Sequence, residues 1–214
     1  MRDFPIFTTD YGVASLVLKE IPYKNEAYIC IRDVQPDGLN ELLKECVGFC
    51  RMAGADRIYA SGHDALDAYP HYTTVVEMCA NIQVDPDDMA QLFPVTEQTV
   101  KHWREIYNQR MRHVHNSGTL ETRDEKRILE SGGAYFVHSD GVLLGIGWIQ
   151  DQKLLAIASV VPGGGELVLK TLLSLCSEET IYLEVASTNL RAVRLYEKMG
   201  FIPTKEVSRW YVVG

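Results

Sequence analysis

In the stretch YLEVASTNLRAVRLYEKMGF, Tyr182 to Phe201, a glutamate interrupts an otherwise apolar run and a tyrosine follows it on a helical pattern. A carboxylate can take a proton and a phenol can give one, so Glu184 and Tyr196 are residue types that general acid–base chemistry uses. Each also has a plain structural role open to it, since Tyr196 can pack its ring and Glu184 can face solvent. Just upstream, Gly163, Gly164 and Gly165 leave backbone N–H groups uncovered at the start of a helical segment. The helix dipole and orphan donors there suit an anionic oxygen, as a phosphate-bearing cofactor would present. A Gly-rich turn serves equally well as a connection, and no GxGxxG or P-loop lysine accompanies it. His63, His71, His113 and His115 are candidate ligands or bases, but no third ligand stands beside them at metal spacing, so no metal is expected. No Cys-His or Ser-His-Asp arrangement points to a covalent intermediate.

The chain has 214 residues, 46% of them hydrophobic, enough for one large or two small packed domains. Its five cysteines, Cys30, Cys46, Cys50, Cys79 and Cys176, include no CxxC pair and sit in apolar or helical surroundings. They read as reduced core residues rather than a disulfide framework. A net charge of −8 argues against a phosphate-backbone partner and suits a cationic or small polar substrate. The longest apolar runs, such as Leu154 to Pro162, fall short of the roughly 20 residues of a membrane span, and no signal pattern opens the chain. A cytoplasmic location, with neither a nucleic acid nor a membrane as partner, is the expectation.

Strand-like VASLVLKEI and EAYICIRDV, split by PYKN, read as a hairpin. LNELLKECVGFCRMAG then has helical spacing, and RIYASG reads as a short buried strand. A helix is expected around TTVVEMCANI, followed by a linker in VDPDDMAQLFP that puts a domain boundary near Pro94, giving regions 1–94 and 95–214. The second region begins with the amphipathic TEQTVKHWREIYNQRMRHV, capped near Thr96 and Thr99, and continues with TRDEKRILESG. The strands AYFVHS, VLLGIGWIQ and KLLAIASVV then form an antiparallel meander. The resulting order, α-α-β-β-β-α-β-α-β, is an α+β fold with a mixed sheet and helices on its faces. Asn189 as N-cap and Gly200-Phe201 as the stop bound a helix from about 190 to 199. The segment from Val34 to Gly38, with IYASG, echoes Val161 to Gly164 with IYLEV. This pattern fits a duplication, though any strand-helix-strand unit has the same outline.

The closing stretch resembles the final motif of the GCN5-related N-acetyltransferases (GNAT), and is especially similar to that of ribosomal-protein alanine N-acetyltransferases. With less specificity the resemblance extends over about 96–214. It implies a GNAT-like acyl-CoA N-acyltransferase fold, with acetyl-CoA as cosubstrate in a cleft where the fourth and fifth strands of the domain splay apart. It also implies Glu184 as general base and Tyr196 as general acid. Backbone groups of Ser159, Val160 and Val161 would hold the pantetheine arm and polarise the thioester, Gly163 to Gly165 would cradle the pyrophosphate, and Asn189 would contact the cofactor.

The chemistry suits such a pair. An alkylamine, pKa near ~10, must lose a proton before it attacks, and a departing thiolate, conjugate acid near ~8.5, must gain one. The chain departs from the family pattern in one place: the usual Arg or Gln followed by x-x-Gly-x-Gly or Ala is missing, and the loop is shorter. The expected activity is acetyl transfer to the primary amine of a small molecule or peptide. The competing reading is an inactive binding module on the same fold. In the first half Ser61 falls where Glu184 does and HDALDAYP carries no equivalent helix, which describes a degenerate copy. VSRWYVV can complete its own sheet or pair with a second copy as a homodimer.

Overall fold

The computed structural model describes residues 5–81, 89–176 and 180–214. By contacts the chain forms two compact units, one comprising residues 1–74 and 206–214 and the other residues 75–205. Pro94 lies inside the second unit, and residues 84–88 of the expected linker fall outside the described residues.

The first unit opens with β1 (Ile6–Thr9), β2 (Gly12–Val17) and the single helical turn α1 (Ile21–Lys24). Then come β3 (Glu26–Val34), α2 (Leu39–Met52), β4 (Arg57–Ser61) and a 3₁₀ turn at Asp64–Ala68. β1, β2 and β3 form an antiparallel meander, and β3 pairs in parallel with β4. Helix α2 supplies the crossover that a parallel pair needs. Its Leu42, Leu43, Cys46 and Cys50 meet Leu16, Ile29, Ile58 and Tyr211 in one core.

The expected helix at TTVVEMCANI is instead the strand β5 (His71–Asn81). Thr73, Val75, Met78 and Ala80 are buried between more exposed neighbours, and the β-branched Thr and Val residues favour the pleated chain. Ile82 is not described. The QLFP end of the expected linker is also a strand, β6 (Gln91–Pro94), with Phe93 directly opposite Phe136.

The remaining elements follow the expected order: α3 (Val100–Met111), α4 (Thr122–Ser131), β7 (Ala134–Ser139), β8 (Val142–Gln150), β9 (Lys153–Ser159), α5 (Gly165–Leu173), β10 (Thr180–Ala186), α6 (Leu190–Lys198) and β11 (Ile202–Val212). In the second unit β6, β7, β8 and β9 are antiparallel, β9 and β10 parallel, and β10 and β5 antiparallel. The sheet has a core on each face. Val168, Leu169 and Leu172 of α5 pack with Ile181, Leu183, Tyr196 and Phe201, while Val100, Trp103 and Ile128 pack with Phe136, Ile146 and Trp148.

The two units share a plan. Each has an antiparallel meander, a helix, a strand in parallel with the meander's last strand, and then an antiparallel strand from the far half of the sequence. That last strand is β11 against β4 in one unit and β5 against β10 in the other.

Candidate active site

Local signals build the closing helix. The Asn189 side chain accepts a hydrogen bond from the Ala192 N–H at 3.3 Å, which satisfies one donor of the first turn. At the other end Gly200 adopts φ +84°, a conformation that a side chain would oppose. The Gly200 N–H donates to the Glu197 carbonyl and the Phe201 N–H to the Tyr196 carbonyl, both at 3.0 Å. This is a Schellman stop, and it folds Phe201 back to a ring-centre distance of 5.8 Å from Tyr196. The same residues that end the helix therefore fix its tyrosine.

Tyr196 is 6% exposed and packs in the cluster that holds Leu183 and Val185. Its hydroxyl makes no hydrogen bond among the described residues, yet no buried side-chain oxygen there lacks a partner, so the hydroxyl must reach accessible space. Burial pushes the phenol above the ordinary tyrosine range, which keeps it a proton donor.

β10 alternates, with Ile181, Leu183 and Val185 buried and Tyr182 and Glu184 exposed. Glu184 thus lies on the face of β10 opposite the Tyr196 cluster. Its Oε1 receives the Lys153 Nζ at 2.5 Å. Directly across the β5–β10 ladder stands Glu77, whose Oε1 is held by Lys205 at 3.3 Å and by the Thr204 hydroxyl at 3.2 Å. Like charges facing one another across strands repel, and here each has its own lysine.

Among the described residues the parallel ladder between β9 and β10 holds two pairs, Tyr182 with Lys153 and Leu183 with Leu154. There β9 bulges: Trp148 opposes Ala156 but Ile149 opposes Leu154, so Leu155 is the extra residue. Beyond Leu154, β9 stays on β8 and leaves β10. The Val160 N–H donates to the Leu144 carbonyl at 2.8 Å, so strand alternation turns the Ile157 and Ser159 amides to the other edge, toward the opening. Val160 does not share that edge, because its amide is given to Leu144 of β8, and its carbonyl accepts from Arg110 Nη2 at 2.7 Å. The Val161 carbonyl is taken by the Ser159 hydroxyl at 2.6 Å and the Gly164 N–H at 3.3 Å.

At the start of α5, Gly163 has φ +79° with open space around it. The first helical bond runs from the Val168 N–H to the Gly164 carbonyl, so the amides of Gly165, Glu166 and Leu167 come before the ladder. With no backbone acceptor among the described residues, these three donors at a positive helix end fit a phosphate oxygen. Glu166 stands among them, bridged to Lys198 of α6 and, at 3.5 Å, to Lys170. The Lys198 hydrogen bond and the charges of both lysines hold its carboxyl below the usual range.

Among its described residues the first unit has no such opening. The β3–β4 ladder runs unbroken from Glu26–Arg57 to Cys30–Ser61, so Ser61, at the position matched to Glu184, is zipped to its neighbour. His63 Nδ1 accepts from the Ala65 N–H at 3.1 Å and caps the 3₁₀ turn that stands where the second unit has a helix. His71 contacts the Thr74 hydroxyl at 3.0 Å, and His115 the Thr188 hydroxyl at 2.9 Å. No group of three His, Cys, Asp or Glu side chains among the described residues is placed to hold a metal.

Sequence reasoning missed Lys153, Glu77 and Arg110. Each acts across strands or on a distant backbone carbonyl, which no local spacing announces.

Residues 100–201 match the acetyltransferase (GNAT) family. Similar solved structures include a GCN5-related N-acetyltransferase from Sphaerobacter thermophilus, at 13% identity and TM-score 0.57 over 94% of this chain and 76% of that one. A GNAT-family acetyltransferase from Colwellia psychrerythraea is similar at 12% identity and TM-score 0.52, over 97% and 84%. A tandem GNAT protein of the clavulanic acid biosynthesis pathway is similar at 13% and 0.50, over 95% and 79%. At such identities the likeness is one of fold. No match was found among curated proteins.

Proposed function

We propose, from the match of residues 100–201 to the acetyltransferase (GNAT) family, that the protein moves the acetyl group of acetyl-CoA to a primary amine by direct attack on the thioester. The observation that carries this reading is the β9–β10 opening, with Glu184 just past its last ladder pair and Tyr196 on the other face of β10. Acetyl-CoA would supply the activated acyl carbon. The Ile157 and Ser159 amides line the edge where its pantetheine arm would pair, and the α5 amides with Gly163, Gly164 and Gly165 would take its phosphates. Asn189 stays occupied as a cap and reaches the cofactor only from that place.

In this mechanism Glu184, directly or through a water, removes a proton from the acceptor ammonium. The neutral nitrogen attacks the carbonyl carbon, and the C–S bond breaks. Tyr196 gives its proton to the departing sulfur and regains one through solvent as the amide nitrogen sheds its second proton, and its raised pKa ensures that the phenol is protonated at neutral pH. Purified protein with acetyl-CoA and an amine panel, read by free thiol release, tests the reading. Turnover is expected, and turnover indifferent to both Tyr196→Phe and Glu184→Gln would sink it.

A second reading, a non-catalytic binding module, is favoured by one feature. Glu166 places a carboxylate in the turn where the anion would sit, and among the described residues its ion-pair partners are lysines rather than an arginine. Calorimetric titration with CoA separates the two, because an inactive module of this kind gives no heat at millimolar CoA. The shared plan of the two units supports a duplicated origin, and the unbroken β3–β4 ladder supports a first unit without catalytic function. The cytoplasm and a monomeric or homodimeric state complete the proposal.

A further inference from the structure

We propose that Lys153 is an internal acceptor, so that the protein acetylates its own Lys153 from acetyl-CoA. The inference rests on the acetyl-transfer reading. There, an amine hydrogen-bonded to Glu184 at the mouth of the β9–β10 opening is an amine in the attacking position. The structure holds one such amine already, the Lys153 Nζ at 2.5 Å from Glu184 Oε1. Its backbone position is suitable. Lys153 begins β9, opposite Tyr182 in the ladder, one residue before the last pair and two before the bulge at Leu155 that opens the strands.

The lysine side chain is 40% exposed, so it is neither locked in the core nor loose in solvent. Charge alone does not demand it there, since an ion pair of this exposure is largely screened by solvent. The reaction balances: Glu184 accepts the first proton from the ammonium, the Nζ–C bond forms as the C–S bond breaks, the thiolate takes a proton from Tyr196, and the second proton shed by Nζ returns through solvent to the tyrosinate. The products are N-acetyl-lysine and CoA. Other lysines lack this relation. Lys126, 82% exposed, pairs with Glu130 at 3.6 Å on α4, well away in sequence from the opening, and reports the uncatalysed background.

Protein incubated with acetyl-CoA and no added amine is expected to gain one acetyl group, mapped by peptide mass spectrometry to Lys153. The rate per molecule should be independent of protein concentration. Lys153→Arg abolishes that gain while keeping a cation beside Glu184, and Glu184→Gln lowers it about a hundredfold without changing the level at Lys126. Equal labelling of Lys153 and Lys126, or labelling of Lys153 undiminished in Glu184→Gln, overturns the proposal. Thiol release with an added amine while Lys153 stays unmodified overturns this inference alone. Absence of both overturns the acetyl-transfer reading with it.

Discussion

Replacing Tyr196 with phenylalanine removes one oxygen and leaves the packing. The ring stays against Phe201 and the α5 residues, and the lost hydroxyl takes no hydrogen bond among the described residues with it. Stability should therefore change by no more than about 0.5 kcal/mol. Catalysis should not be spared. A positioned general acid contributes typically 10²- to 10⁴-fold, so kcat is expected to fall by that factor, equivalent to about 3–5 kcal/mol of barrier. Urea unfolding of both proteins and thiol release under saturating acetyl-CoA measure the two numbers side by side. An unchanged kcat would leave Tyr196 a packing residue. A fall in kcat accompanied by a stability loss above about 2 kcal/mol would assign the effect to packing and refute the acid role. Burial raises the phenol, so its folded-state pKa exceeds the unfolded value of about 10. The stability that goes with a neutral Tyr196 is full below pH ~10 and is lost as pH rises beyond it. The phenylalanine variant should therefore keep more of its stability above pH 10 than the parent.

Phe201→Ala removes a ring that is 2% exposed and should cost about 3–5 kcal/mol in urea unfolding, with activity falling as Tyr196 loses its rest. Asn189→Ala should cost about 1 kcal/mol through the lost cap, and Asn189→Asp should restore most of it in the same assay. Burial pushes the Cys46 and Cys50 thiols up to about 12 and about 11, so neither presents a thiolate near neutrality. A maleimide at pH 8 followed by peptide mapping should find both unlabelled in native protein and labelled in denaturant.

What could be read in advance was local. The start and stop of α6 are written in Asn189, Gly200 and Phe201 within one short segment, and the order of elements after Thr96 follows from periodicity and turn residues. At β5 the sequence points to a helix, because Val75, Val76 and Cys79 fit a helical spacing as well as a strand. The choice was made by β10, whose Thr180 pairs with Asn81 from far along the chain. The cleft was legible only through resemblance, since a ladder that stops after Leu154 and a bulge at Leu155 arise from competition between strands and leave no period in the residues. For the same reason the 2.5 Å pairing of Lys153 with Glu184 had no sequence signal, the two being joined only by neighbouring strands.

The division of the chain also sets an order of assembly during synthesis. Residues 75–205 are contiguous, so the second unit is complete as soon as its own segment has left the ribosome. The first unit, though begun earlier, waits for residues 206–214: Tyr211 must pair with Ala60 on β4 and enter the core beside Leu42 and Ile58. Until then the β4 edge stands open on the nascent chain, with its backbone groups available to a wrong partner. The half translated first is thus the half that finishes last.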